Sequence, residues 1–135
     1  MCIRDRIRTV SWFGLTGVVC SPRTVDVWNA KTIQSSMGSV FNTPLIVTDL
    51  KEFLKSNEIS CIVLDAGGEN LHSSDYLPGA IVVGSESHGV SENLREMANE
   101  VWSIPGSGNA ESLNASIAGS IACSVLAQKR SSLSS

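Results

Sequence analysis

Ala80-Ile-Val-Val-Gly-Ser-Glu-Ser-His-Gly-Val90 is a short β-branched run that breaks into a glycine turn and is followed, from Ser91, by a helical pattern. Strand, glycine turn and helix start form the junction at which alternating α/β proteins place ligands, at the carboxyl ends of their strands. Gly84 leaves room for a ligand to approach the backbone, and Gly89 permits a second tight turn. Glycine turns also join strands to helices where nothing binds. Three familiar fingerprints are missing: Gly-x-Gly-x-x-Gly for dinucleotides, Gly-Lys-Ser/Thr for a phosphate loop, and Gly-x-Ser-x-Gly for a hydrolase elbow.

Working outward, similar apolar runs recur at Gly17-Val-Val-Cys20, Leu45-Ile-Val-Thr48, Cys61-Ile-Val-Leu64 and Val101-Trp-Ser-Ile104. With Ala80–Val83 they make five candidate strands. Their continuous apolar character implies burial on both faces, as in a mostly parallel sheet covered by helices on each side, so the expected class is α/β. Helical patterns fill the intervals: Asp26 to about Met37, a segment capped by Asp49 and running to about Asn57, a third from Ser91 with Leu94, Met97 and Ala98, and a fourth over about Ser112–Lys129. Ala66–Gly79 is too polar and glycine-rich for a helix and reads as a loop. The polar tail Lys129–Ser135 reads as frayed.

The chain has 135 residues, 42% of them apolar and 17% charged. That fits one folded domain spanning 1–135. Ten Lys and Arg against thirteen Asp and Glu leave a net charge of −3, which excludes a protein-wide basic field. Any nucleic-acid contact must be local. Residues 1–31 provide such a region: Arg4, Arg6, Arg8, Arg23 and Lys31 against Asp5 and Asp26 make +3, and the remainder is −6. Cys2, Cys20, Cys61 and Cys123 are widely spaced in apolar or small-residue surroundings and read as buried thiols of a reducing compartment. With only His72 and His88 besides, no metal site is expected. Neither a membrane span nor a signal-peptide core is visible, and a cytoplasmic protein is expected. Trp12, Phe13, Trp28, Phe41 and Trp102 read as core or dimer-interface residues rather than base-stacking platforms.

A second glycine-rich loop, Ile104-Pro-Gly-Ser-Gly-Asn-Ala-Glu-Ser-Leu-Asn-Ala-Ser-Ile-Ala118, leaves the last strand and enters the last helix. Ser112 or Asn109 can serve as a plain helix cap. Asn114 reads differently: an amide inside an apolar helix start loses helix propensity and needs partners if buried, which suits a residue that orients something.

Together, Gly84-Ser-Glu86 with Gly89, then Ile104-Pro and Glu111-Ser-Leu-Asn114, resemble the second and third motifs of the SpoU (TrmH) family of RNA ribose 2′-O-methyltransferases. Ile7-Arg-Thr-Val-Ser-Trp-Phe-Gly14, with Gly17-Val-Val and Ser36-Met-Gly38, resembles the first motif and the stretch after it. The similarity covers about residues 6 to 128. It implies an α/β fold with a C-terminal deep trefoil knot, S-adenosylmethionine as cofactor, tRNA or rRNA as partner, and a homodimer. Gly84, Ile104 and Leu113 match the cofactor-holding positions. Arg8 matches the first-motif arginine that acts on the ribose hydroxyl, where by itself it reads as a solvated surface charge. Glu86, Ser112 and Asn114 match polar active-site positions.

Because an arginine stays protonated to a pKa above about 12, Arg8 suits phosphate binding and alkoxide stabilisation better than proton abstraction. The family's first motif begins with an asparagine and a glycine six and four residues before its arginine, and this chain has Cys2 and Arg4 there. Residues 1–5 accordingly read as a fragment boundary or a foreign start. The alternative function is a catalytically impaired knotted domain that binds S-adenosylmethionine or RNA without methyl transfer.

Overall fold

The structure is a computed structural model that describes residues 3–21, 44–84, 89–108 and 113–134. The chain divides into two compact units, Met1–Asn57 and Glu58–Ser135.

The first unit opens with α1 (Ile3–Trp12), ahead of Gly17 where the strand-and-helix reading of the sequence begins. Ile7 and Val10 form its buried side, whereas Arg8 and Trp12 are exposed. The helix stops at Gly14, which adopts φ +69°. Gly14 N–H donates to Ser11 O and Leu15 N–H to Val10 O, the paired bonds of a left-handed glycine cap that satisfy two terminal carbonyls. Then β1 (Val18–Cys20) pairs in parallel with β2 (Leu45–Val47), Val18 opposite Leu45 and Cys20 opposite Val47. Asp49 caps α2 (Leu50–Ser56) as its sequence implies, its carboxylate accepting from Glu52 N–H at 3.0 Å. Just beyond α2, Glu58 takes φ 52°, a left-handed conformation that costs a side chain energy.

The second unit is built on a three-stranded parallel sheet of order β4-β3-β5, from β3 (Cys61–Asn70), β4 (Ala80–Val82) and β5 (Glu100–Ser103). All strand pairs among the described residues are parallel, but they lie in two sheets rather than one. Asn99 fastens the strand starts, with Cys61 N–H donating to its side-chain carbonyl and its own N–H donating to Cys61 O. Short α3 (Glu92–Met97) links β4 to β5, and α4 (Ala115–Ser134) closes the chain.

Ile62, Leu71, Trp102 and Val125 form the core of this unit, with Leu64, Tyr76, Ile81 and Ile104 packed against them. Trp102 is fully buried, as expected of a core aromatic, and its indole N–H donates to Glu100 at 3.0 Å. Ser74 Oγ donates to the same carboxylate at 2.6 Å. Lys129 Nζ lies 5.6 Å from the Trp102 ring centroid and donates to the Ser74 carbonyl. These contacts tie the end of α4 to the sheet, so the helix continues through Ser134 instead of fraying at Lys129.

The loop expected over Ala66–Gly79 is also corrected in part. Strand β3 pairs Leu64 with Trp102, loops out four residues, and resumes with Glu69 opposite the same Trp102. Main-chain pairing drives this, because Gly68 approaches β5 so closely that a Cβ would stand 2.4 Å from Val101 O. Ser103 Oγ donates to Gly68 O at 2.8 Å, and Leu71 N–H donates to Ser103 O. Sequence patterns register side chains, and this pairing uses few. The helix expected at Asp26–Met37, Ser36-Met-Gly38, Trp28 and Phe41 lie outside the described residues.

Candidate functional site

In the second unit, Val82, Val63 and Val101 stand in one row across β4, β3 and β5. Gly84 lies two residues beyond Val82, and Ile104 three beyond Val101. Both glycine-rich loops therefore leave the same, carboxyl, end of one parallel sheet, flanking its central strand. Parallel packing turns two motifs separated by about twenty residues of sequence into neighbouring rims of one sheet edge, the edge at which α/β proteins place ligands.

At the first rim, Gly84 is half-buried, and a Cβ there would lie 2.2 Å from Gly89 C and 2.5 Å from Val90 N. The close approach expected at Gly84 is thus made by the chain's own backbone, which pinches the base of the turn. Gly89 takes φ +66°, the left-handed conformation expected of a second tight turn. Glu86 and His88 lie within residues 85–88, outside the described set.

At the second rim, Ile104 sends its side chain against the Trp102 core, which leaves its main chain to face the loop. A Cβ at Gly106 or Gly108 would meet nothing within 4 Å, so this backbone borders open space. Leu113, 47% exposed, offers an uncovered apolar side chain where the loop rejoins the fold. Asn114 is exposed and immediately precedes α4, and its carbonyl accepts from Ala118 N–H at 2.9 Å. It occupies the N-cap position rather than the helix interior, which corrects the expectation drawn from burial and propensity. Asn109, Glu111 and Ser112 lie outside the described residues. The following helix packs its Gly119 against Val83, 3.7 Å from where a Cβ would sit, seating α4 beside the first rim.

Between the rims stands a feature the sequence analysis missed. Asp65, two residues beyond Val63 on the central strand, forms an ion pair with Arg95 of α3 and also accepts from Ala66 N–H at 2.7 Å. The Arg95 hydrogen bond first, and that amide second, hold the Asp65 carboxyl below its ordinary range. The pair fastens the helix after the first glycine turn to the looped-out part of β3. Thirty residues separate the partners, and no local spacing rule links them.

Arg8, exposed on α1, belongs to the first unit. Cys20 and Cys61 are buried as expected, and burial raises both thiols above their ordinary range, although nearby Arg6 lowers Cys20 in part. They are poor nucleophiles at neutral pH. Of the two places expected for Trp12, the core is excluded: the residue is 83% exposed. It falls on the outward side of an amphipathic helix whose inward positions are Ile7 and Val10.

Comparison with known proteins gives a consistent result. The model of the SpoU rRNA Methylase family matches residues 5–124. An uncharacterized tRNA/rRNA methyltransferase of Archaeoglobus fulgidus is 34% identical over 130 residues, covering 92% of this chain and 58% of the relative. The AdoMet complex of the SpoU methyltransferase AviRb from Streptomyces viridochromogenes superposes with a TM-score of 0.79 at 27% identity, over 96% of this chain and 56% of that one. An AdoMet-bound rRNA methyltransferase from Sinorhizobium meliloti gives 0.74 at 27% identity, over 97% and 51%. The chain thus spans little more than half the length of the proteins it matches.

Proposed function

Because the chain belongs to the SpoU rRNA methylase family, we propose that it binds S-adenosylmethionine at the carboxyl end of the β4-β3-β5 sheet and methylates a ribose 2′-hydroxyl of tRNA or rRNA. The observation that carries this reading is the emergence of both glycine-rich loops from one end of a single parallel sheet.

The residues present suit the cofactor. The pinched turn at Gly84, the main chain of Ile104 and the open backbone at Gly106 and Gly108 offer amides and carbonyls to its polar groups. Leu113 offers apolar cover to the adenine. Residues 58–135 carry net −6, which favours a ligand with one more positive than negative charge. When bound, the cofactor supplies a methyl group on a sulfonium, whose C–S bond breaks as the C–O bond to ribose forms. The chain's own work is alignment and charge stabilisation. Arg8 holds substrate phosphate and stabilises the alkoxide that develops as the hydroxyl loses its proton to water, while Glu86, Ser112 and Asn114 orient the reacting groups. This reading includes a trefoil knot formed by the C-terminal segment, a homodimer, and a cytoplasmic location.

Calorimetry with S-adenosylmethionine, and transfer from the tritiated cofactor to total RNA, test the proposal. Binding of about one cofactor per chain is expected, together with loss of binding in Gly84→Val, whose side chain has no room, and in Leu113→Asp, whose exposed position tolerates the change. Alkali-resistant dinucleotides carrying the label would locate the methyl on the 2′-oxygen. No cofactor binding by the folded chain would overturn the proposal. Binding without transfer would establish instead the impaired domain that Cys2 and Arg4 suggest.

A further inference from the structure

The indole of Trp12 stands in water. At 83% exposure it leaves unused most of the apolar area that makes tryptophan a core residue, whereas Trp102 in the other unit is wholly buried. Arg8 lies four residues earlier on the same helix and is also exposed, so the two residues share one face of α1, their backbones about 6 Å apart along its axis. Residues 1–57 carry net +3 in a chain whose total is −3.

We infer that Trp12 is a stacking platform for an unpaired base of the RNA substrate, next to the nucleotide whose phosphate and ribose Arg8 contacts. A flat indole beside a guanidinium suits a splayed nucleotide: the ring takes the face of the base and the cation takes the backbone. A protein interface would call for a fused apolar patch around the tryptophan. Among the described residues of this unit, the only other large exposed apolar side chain is Ile46, on β2. The other exposed residues at this end of the helix and just after it are Arg8, Gly14 and Thr16, which are polar or small. The inference rests on the reading of RNA as substrate, and it gives a role to Trp12, a residue within the first-motif stretch to which the resemblance assigns none.

The test uses the full chain with fluorescently labelled single-stranded RNA, reading binding by anisotropy and by quenching of tryptophan emission. Trp12→Ala is expected to weaken RNA binding roughly tenfold to a hundredfold, the effect of removing one base–aromatic stack. Trp12→Phe should restore most of the affinity while abolishing the quench. In methyl transfer, the loss in Trp12→Ala should fall on KM for RNA rather than on kcat, and cofactor binding should match the parent. Unchanged RNA affinity in Trp12→Ala would overturn the platform. So would a sedimentation shift toward a smaller species with RNA affinity unchanged, because Trp12 would then be a contact between protein chains. A parent chain that binds RNA with a Trp12-dependent quench but transfers no methyl group would sink the enzymatic reading and leave the platform standing.

Discussion

The two compact units differ in charge and in where their aromatic surface lies. Residues 1–57 hold seven Lys and Arg against four Asp and Glu, whereas residues 58–135 hold three against nine. The first exposes Trp12 beside Arg8; the second buries Trp102 in its core and exposes glycine-rich backbone at a sheet edge. Under the proposed function, this asymmetry would draw an anionic polymer and a cationic cofactor to different halves of one chain, which an overall charge of −3 conceals.

Removing the Trp102 side chain strikes the second unit hardest. Trp102→Ala opens a cavity at a fully buried position and is expected to cost about 3–5 kcal/mol. Urea unfolding followed by circular dichroism measures this. Two separate transitions, only one of them shifted, would show that the units unfold independently; one shifted transition would show that they are coupled.

Arg8→Ala should leave cofactor affinity intact and lower kcat roughly a hundredfold to a thousandfold, as loss of a charge-stabilising group does. An equal loss of cofactor affinity would erase the proposed division of labour. A gentler probe sits at the boundary of the units. Glu58 holds φ 52°, so Glu58→Gly is expected to raise stability by about 0.5–1 kcal/mol through relief of backbone strain. No gain in thermal midpoint would mean that the position is not strained in solution.

The smallest effect concerns Asp65 and Arg95. The Asp65 carboxyl titrates below its ordinary value in the folded chain, so the pair stabilises the fold at pH above that ordinary value, 3.8. The contribution fades as pH falls through the folded value, because both states are then protonated. Asp65→Asn should therefore be slightly less stable than the parent at pH 7, and the difference should vanish in acid. A constant difference across pH would mean that the Asp65 carboxyl is not held below its ordinary range in the folded chain.

Much of the site was legible in local chemistry. Asp49 was readable as a cap because its carboxylate meets an amide three residues away, and Gly89 as a tight turn because a positive φ favours glycine. The strand positions were readable for the same kind of reason, since five short β-branched runs announce strands, although the expected burial on both faces fails at β2, where Ile46 is exposed. Whether Trp12 enters the core was not legible, because apolarity alone does not say which side of a helix a residue takes; that depended on the packing of Ile7 and Val10. Asn114 was misplaced by the width of one helix boundary.

By itself, the sequence determined the α/β class, the strand cores and the two glycine-rich segments, because each is specified by contacts within a few residues. Tertiary structure alone decided that both loops share one sheet edge, that β3 resumes pairing after Gly68, and that Asp65 meets Arg95. Those outcomes depend on strand order, on main-chain hydrogen bonds and on partners dozens of residues apart. Such relations have no local pattern, because they come into existence only when distant backbone segments are packed against one another.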